Sequence, residues 1–204
     1  MFNILTTLAV SLFVITGGPS VGKTSIIKEL ENMGEIICEE AATDIISAYQ
    51  NQGIMEPWEL DNFEVEVYLE KVKREKRSID HARAYNRPFI FVDRGLLDTL
   101  VYLETNNKLA TDEYEFISNH LSSFDISNYY KAVFYVEPHS GKEFIAKQGG
   151  VRHEDTNEAI RLGKEVHRVY KKAGIPTIVV PSDMSPKKRA EYVLEKLYEL
   201  KEKE

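Results

Sequence analysis

Eight residues constrain this chain more than any others. Gly17-Gly18-Pro19-Ser20-Val21-Gly22-Lys23-Thr24 fits G-x-x-x-x-G-K-[ST] without a mismatch. An apolar run, Leu12–Thr16, leads into it, and Ile26, Ile27 and Leu30 follow at helical spacing. The segment therefore reads as strand, tight turn, helix. Gly17 and Gly22 allow dihedrals that a side chain forbids. The turn then points successive N–H groups inward as an anion nest, and the helix N-terminus adds its partial positive charge. Lys23 is placed to reach the β- and γ-phosphates of a nucleoside triphosphate, and the Thr24 hydroxyl to ligate Mg2+. The candidate nucleotide contacts are Gly17, Gly18, Pro19, Ser20, Val21, Gly22, Lys23, Thr24 and Ser25.

The rest of the chain alternates strands with helices. Strands are expected at Ser11–Thr16, Glu35–Cys38, Phe89–Asp93, Lys131–Val136 and Pro176–Val180. Helices are expected at Lys23–Met33, Ala41–Gln52, Leu96–Thr105, Asp112–Leu121, Asn157–Ala173 and Ser185–Lys201. A long helix is expected from Pro57 to Tyr85, with Leu60, Phe63, Val67 and Val72 inward. Glu137–Thr156 contains Gly141, Gly149 and Gly150 and little periodicity, so it reads as a loop. With no repeat and no linker, residues 1–204 read as one α/β domain with a five-stranded parallel sheet.

Phe89-Ile90-Phe91-Val92-Asp93 is a continuous apolar run that ends in a carboxylate. Beside a complete phosphate loop this makes Asp93 a second candidate magnesium ligand and a candidate catalytic group. Arg94 has two readings: a bidentate contact to phosphate or substrate, or an ion pair with Asp98 four residues on. Glu40 also has two: a carboxylate that orients or deprotonates an acceptor hydroxyl, or, with Glu39, complement to a helix N-terminus.

Charge narrows the partners. The chain carries 33 acidic and 26 basic residues, a net charge of −7, which disfavours bulk nucleic acid as a partner. Residues 71–94 are locally basic, with Lys71, Arg74 and Arg77 reading mainly as a solvated helix face. One cysteine, Cys38, excludes a disulfide framework and fits a reducing, cytoplasmic setting. The five histidines form no HExxH or HxH pair, against a zinc enzyme. Phe2–Ile15 is apolar but lacks a basic leader and a cleavage site and is too short to span a bilayer. No transmembrane segment is expected, and residues 1–10 read as an apolar extension.

Together, ITGGPSVGKT, CEEAATDII, VDRGLLD, GVRHED and IVVP resemble the small P-loop AAA-type domain of the nicotinamide-riboside-kinase-like group, over about residues 12–190. The resemblance implies a three-layer P-loop NTPase fold of the nucleoside/nucleotide-kinase kind, with strand order 2-3-1-4-5. It also implies ATP or GTP with Mg2+, and a lid bearing arginine. The lid falls at about 142–155, with Lys147 and Arg152 as its cations and Arg152 the candidate catalytic one. A plain solvent loop is the other reading of that segment. The group's E-A-A-R departs here to Glu40-Ala41-Ala42-Thr43.

Two functions fit these residues. One is a kinase that moves the γ-phosphate to a small-molecule acceptor such as a nucleoside or nucleotide. The other is a nucleotide-dependent switch or slow NTPase with a protein or lipid partner. The N-K-x-D guanine tetrapeptide is absent, and the corresponding stretch reads Val180-Pro181-Ser182-Asp183.

Overall fold

The computed structural model describes residues 9–105, 108–123, 125–138 and 156–202. Five parallel strands form the sheet: β1 (Ser11–Thr16), β2 (Ile36–Cys38), β3 (Phe89–Asp93), β4 (Tyr130–Val136) and β5 (Thr177–Val180). Their order is β2-β3-β1-β4-β5, as expected. Eight α-helices accompany them among the described residues: α1 (Lys23–Asn32), α2 (Ala42–Gln50), α3 (Phe63–Ala84), α4 (Leu96–Thr105), α5 (Asp112–Ser122), α6 (Ile126–Tyr129), α7 (Thr156–Lys172) and α8 (Pro186–Lys201).

Side-chain alternation along the central strand explains the three layers. Phe13 and Ile15 face one side and pack with Ile26 and Leu30 of α1 and with Val193 and Leu197 of α8. Leu12 and Val14 face the other and pack with Tyr68 of α3, Val101 of α4, Ile117 of α5 and Val166 of α7. A sheet covered on both faces needs strands that are apolar throughout, which is what β1, β3 and β4 supply. Among the described residues, no helix is long and apolar enough to cross a membrane.

Three expectations need correcting. The long helix begins at Phe63, not Pro57; Pro57–Glu59 forms a separate 3-10 turn, and Asn62 stands at φ 64°. Asparagine tolerates this left-handed conformation, and the break turns Phe63 onto Ala42 and Ile46 of α2. Leu60, outside the helix, is exposed rather than inward. Finally, α6 was not expected; Asp125 caps it by accepting the N–H groups of Ser127 and Asn128, a local signal too short to show periodicity.

The central sheet should dominate stability. Phe134→Ala, at a fully buried site on β4, should cost about 3–5 kcal/mol. Val179→Ala, on the half-exposed edge strand β5, should stay within about 0.5 kcal/mol. Urea denaturation of both variants checks the contrast.

Candidate active site

The phosphate loop joins β1 to α1. Gly22, at φ 93°, is the N-cap of α1, a conformation a side chain would strain. Gly18 meets a different constraint: a Cβ there would lie 2.3 Å from the carbonyl oxygen of Ala159 in α7. From the other side, a Cβ on Gly163 of α7 would lie 2.9 Å from the Gly18 nitrogen. Helix α7 thus rests backbone-to-backbone on the phosphate loop. Pro19 is half-buried, Val21 is in the core, and Ser20, Thr24 and Ser25 are exposed.

Lys23 is buried, and its Nζ donates to the carbonyls of Gly17 and Gly18 at 3.2 and 2.6 Å. Burial, with the charge of Arg94, lowers its ammonium pKa to about 7, against the opposing pull of Asp93, Glu40 and Asp98. Asp93 ends β3 beside it. Burial and the Glu40 charge push the Asp93 carboxyl up to about 6, against Lys23, Arg94 and Lys71. The Asp93 Oδ1 is buried with no hydrogen-bond partner among the described residues.

Arg94 brings both of its sequence readings together. Its Nε lies 2.8 Å from Glu40 Oε1 and its Nη1 3.4 Å from Asp98 Oδ1. The same Nη1 donates to the Gly17 carbonyl at 3.2 Å, and the guanidinium lies over the Tyr102 ring. Arg94 also stands at φ 60°, a conformation that non-glycine residues hold only where neighbours over-determine it. Asp98 and Lys71 are those neighbours. Asp98 accepts from Thr16 Oγ1 at 2.6 Å, Tyr170 Oη at 2.7 Å and the Gly95 N–H at 3.1 Å. Lys71 Nζ donates to the carbonyls of Asp93 and Arg94.

Lys71 and Arg74 therefore leave the solvated face expected of them. Lys71 is buried, and Arg74 donates to the Glu40 carbonyl at 2.8 Å and pairs with Asp44 at 2.8 Å. Only Arg77 of the three is exposed, paired with Glu70. The signal was in the spacing: Glu64, Lys71 and Glu75 fall on the same stripe of α3 as Phe63, Val67 and Tyr68, and all six are buried. Thr43, standing where the resembled group has arginine, donates its hydroxyl to Glu40 Oε2 at 2.9 Å.

Glu40, Glu64, Lys71, Arg94, Asp98, Thr99 and Tyr102 line a cavity on the β2–β3 side of the phosphate loop. Sequence reading missed Glu64, Thr99 and Tyr102, which carry no motif. The cavity is about 20 Å³, room for about one water. The lid at 142–155, with Lys147 and Arg152, lies outside the described residues, as do residues 1–8 of the apolar extension.

A family model described as an AAA domain, AAA_28, matches residues 12–189. The chain belongs to this AAA domain family. No curated protein sequence matches it. In fold, this AAA domain is similar to deoxyadenosine kinase from M. mycoides with dCMP and a flexible dCDP bound. The TM-score is 0.65 at 19% identity, over 92% of this chain and 99% of that one. The same kinase with bound dATP gives 0.61 at 20% identity, over the same shares. The NadR protein in complex with NR gives 0.69 at 15% identity, over 94% of this chain and 50% of that one, so the AAA domain spans half the length of NadR. The fold is that of P-loop nucleoside kinases.

Asp98 should be the stability bottleneck of the site. Asp98→Ala leaves Thr16 and Tyr170 without their acceptor and Arg94 with Glu40 as its one remaining carboxylate partner among the described residues, and should cost about 3 kcal/mol or more. Asp98→Asn keeps the shape and should cost less. Urea midpoints of the two variants test this ordering.

Proposed function

We propose that this AAA domain is a phosphotransferase that moves the γ-phosphate of ATP or GTP to a hydroxyl of a small acceptor of nucleoside type. The observation that carries the reading is the second pocket. A cavity lined by Glu40, Glu64, Arg94 and Tyr102 lies next to the phosphate loop, joined to it by Arg94, whose Nη1 donates to the Gly17 carbonyl; an acceptor there would meet the γ-phosphate. A switch that reports bound nucleotide to a partner has no use for it.

The pocket's charges favour an acceptor without phosphate. Three carboxylates, Glu40, Glu64 and Asp98, face two cations, Lys71 and Arg94. Both cations already serve carbonyls or carboxylates of the chain. A neutral or cationic compound rich in hydrogen-bond donors suits such walls, and an anionic one does not.

In the proposed reaction the loop N–H groups of Gly17–Ser25 cradle the phosphates. Lys23 leaves its own carbonyls for the β- and γ-phosphates. Thr24 and Asp93 would hold Mg2+; the orphaned buried Asp93 Oδ1 and the exposed Thr24 hydroxyl are the oxygen donors that ion prefers. When bound, the ion would neutralise charge on the phosphate oxygens. Glu40 accepts the hydrogen bond of the acceptor hydroxyl and orients its oxygen toward phosphorus. The new O–P bond forms as the bond to the β–γ bridging oxygen breaks. The hydroxyl proton passes to a carboxylate, and the nucleoside diphosphate leaves. Arg94 stabilises the charge that spreads over the transferred group. A lid at 142–155 would exclude water, and its Arg152 would add a second cation.

The test is a panel of nucleosides and nucleoside monophosphates with ATP and with GTP, read as nucleoside diphosphate release. At least one nucleoside should raise the rate above the acceptor-free level, and the monophosphates should not. A slow rate that no acceptor changes would favour the switch.

Lys23 gives a further prediction. The free protein holds its ammonium near pKa 7 because it is buried, and triphosphate binding must raise that value. Binding of MgATP at pH 8 should therefore take up close to one proton; at pH 6 the ammonium is already charged, so the uptake should vanish and the Asp93 carboxyl, held near 6, should instead release part of a proton to make way for the ion. Calorimetry in buffers of different ionisation enthalpy measures this. Lys23→Ala should abolish the uptake and weaken binding by about tenfold or more.

A further inference from the structure

The position of the acceptor pocket fixes the direction in which a nucleotide must lie. The pocket stands at the ends of β2 and β3, to one side of β1 and its phosphate loop. The γ-phosphate must face that side. The rest of the nucleotide then extends toward β4 and β5, across the strand ends where open α/β sheets take their ligands. There Gly17 closes on Val136 of β4, and the Glu137 N–H donates to the Val180 carbonyl, holding the ends of β4 and β5 together. The turn that follows, Pro181-Ser182-Asp183-Met184-Ser185, is the surface in the path of the base.

Arg189 links this turn to the phosphate loop. It sits on α8 and is 2% exposed. Its Nη1 donates to the Val21 carbonyl at 3.0 Å, and its Nη2 to the Ser182 carbonyl at 2.7 Å. The same Nη1 would lie 3.3 Å from a Cβ on Gly22. Among the described residues no carboxylate pairs with it, and its Nε is buried with no partner. Burial disfavours its charge, and Asp183 and Glu137 offset this only from a distance. A buried, unpaired guanidinium is a costly way to fill a core, and apolar residues would fill it as well. The two carbonyls it joins lie on the two halves of the proposed nucleotide site.

We infer that Arg189 is a positioning residue for the bound nucleotide: it ties the phosphate loop at Val21 to the 181–185 turn that receives the base, so the two halves act as one unit. This rests on the proposed function, both the nucleotide-binding reading of the phosphate loop and the acceptor reading of the neighbouring pocket. One guanidinium with two separate N–H arms spans both carbonyls at once; a lysine ammonium carries the same charge on a single point and does not. The role is therefore one of geometry and not of charge alone.

The test compares ATP with inorganic tripolyphosphate, each with Mg2+, on the wild type, Arg189→Lys and Arg189→Met. In the wild type, ATP should bind about tenfold or more tighter than tripolyphosphate, because the base adds contacts. Both variants should lose about tenfold in ATP affinity and less than about threefold in tripolyphosphate affinity. Hydrogen exchange on the wild type adds a measurement that needs no variant: ATP should slow exchange at residues 182–185, and tripolyphosphate should not. Equal losses for both ligands, wild-type ATP affinity in Arg189→Lys, or unchanged exchange at 182–185 with ATP would each overturn the inference. A wild type that binds neither ligand would instead overturn the phosphate-loop reading beneath it.

Discussion

Asp98 gathers parts of the chain that are distant in sequence. Thr16 at the end of β1, Arg94 and Gly95 after β3, and Tyr170 on α7 all reach its carboxylate. This buried junction holds Arg94 in a backbone conformation that an isolated turn would not adopt. It also fixes Arg94 against Gly17, and so fixes the phosphate loop against the cavity that Arg94 lines. A second buried network supports it from below: Tyr130 donates to Glu75 at 2.7 Å and accepts the Leu96 N–H at 2.9 Å. The site's geometry thus depends on polar groups that are satisfied by one another in the interior, where each broken link is expensive.

The Asp93 Oδ1 has no partner among the described residues, but the cations of the site are met within the chain. Lys23 donates to the carbonyls of its own loop, and Arg94 is shared among Glu40, Asp98 and Gly17. The cavity lined by Glu40, Glu64, Arg94 and Tyr102 has room for about one water. Any ligand that enters here displaces some of these internal contacts. A ligand that does not replace a contact it breaks leaves a buried polar group unmet, which is costly.

The framework was legible because its signals are local. Each strand was a mainly apolar run, and the phosphate loop carried its own spacing. Ser185-Pro186 marked the start of α8, with Ser185 accepting the Lys188 N–H. The strand order followed from family likeness and holds. The site's second layer was less legible. Lys71 looked like a surface lysine because nothing local reveals that its ammonium meets carbonyls of Asp93 and Arg94, more than twenty residues on. Only its place on the buried stripe of α3 hinted at this. Arg189 and Glu64 were hidden for the same reason: Val21 and Ser182 for one, and the other residues of the cavity beside Arg94 for the other, come together only on folding.

The contact between Gly18 and α7 also bears on how such a sequence can drift. A methyl on Gly18 runs into the backbone at Ala159, and one on Gly163 runs into the backbone of Gly18. Backbone atoms cannot be trimmed by a second substitution, so no change elsewhere in side-chain chemistry makes room at either position. The only escape is for the whole helix to lift off the loop, which would also pull Tyr170 from Asp98. The two glycines are therefore bound to one evolutionary fate, while the exposed faces of α1, α3 and α8 are left free to vary.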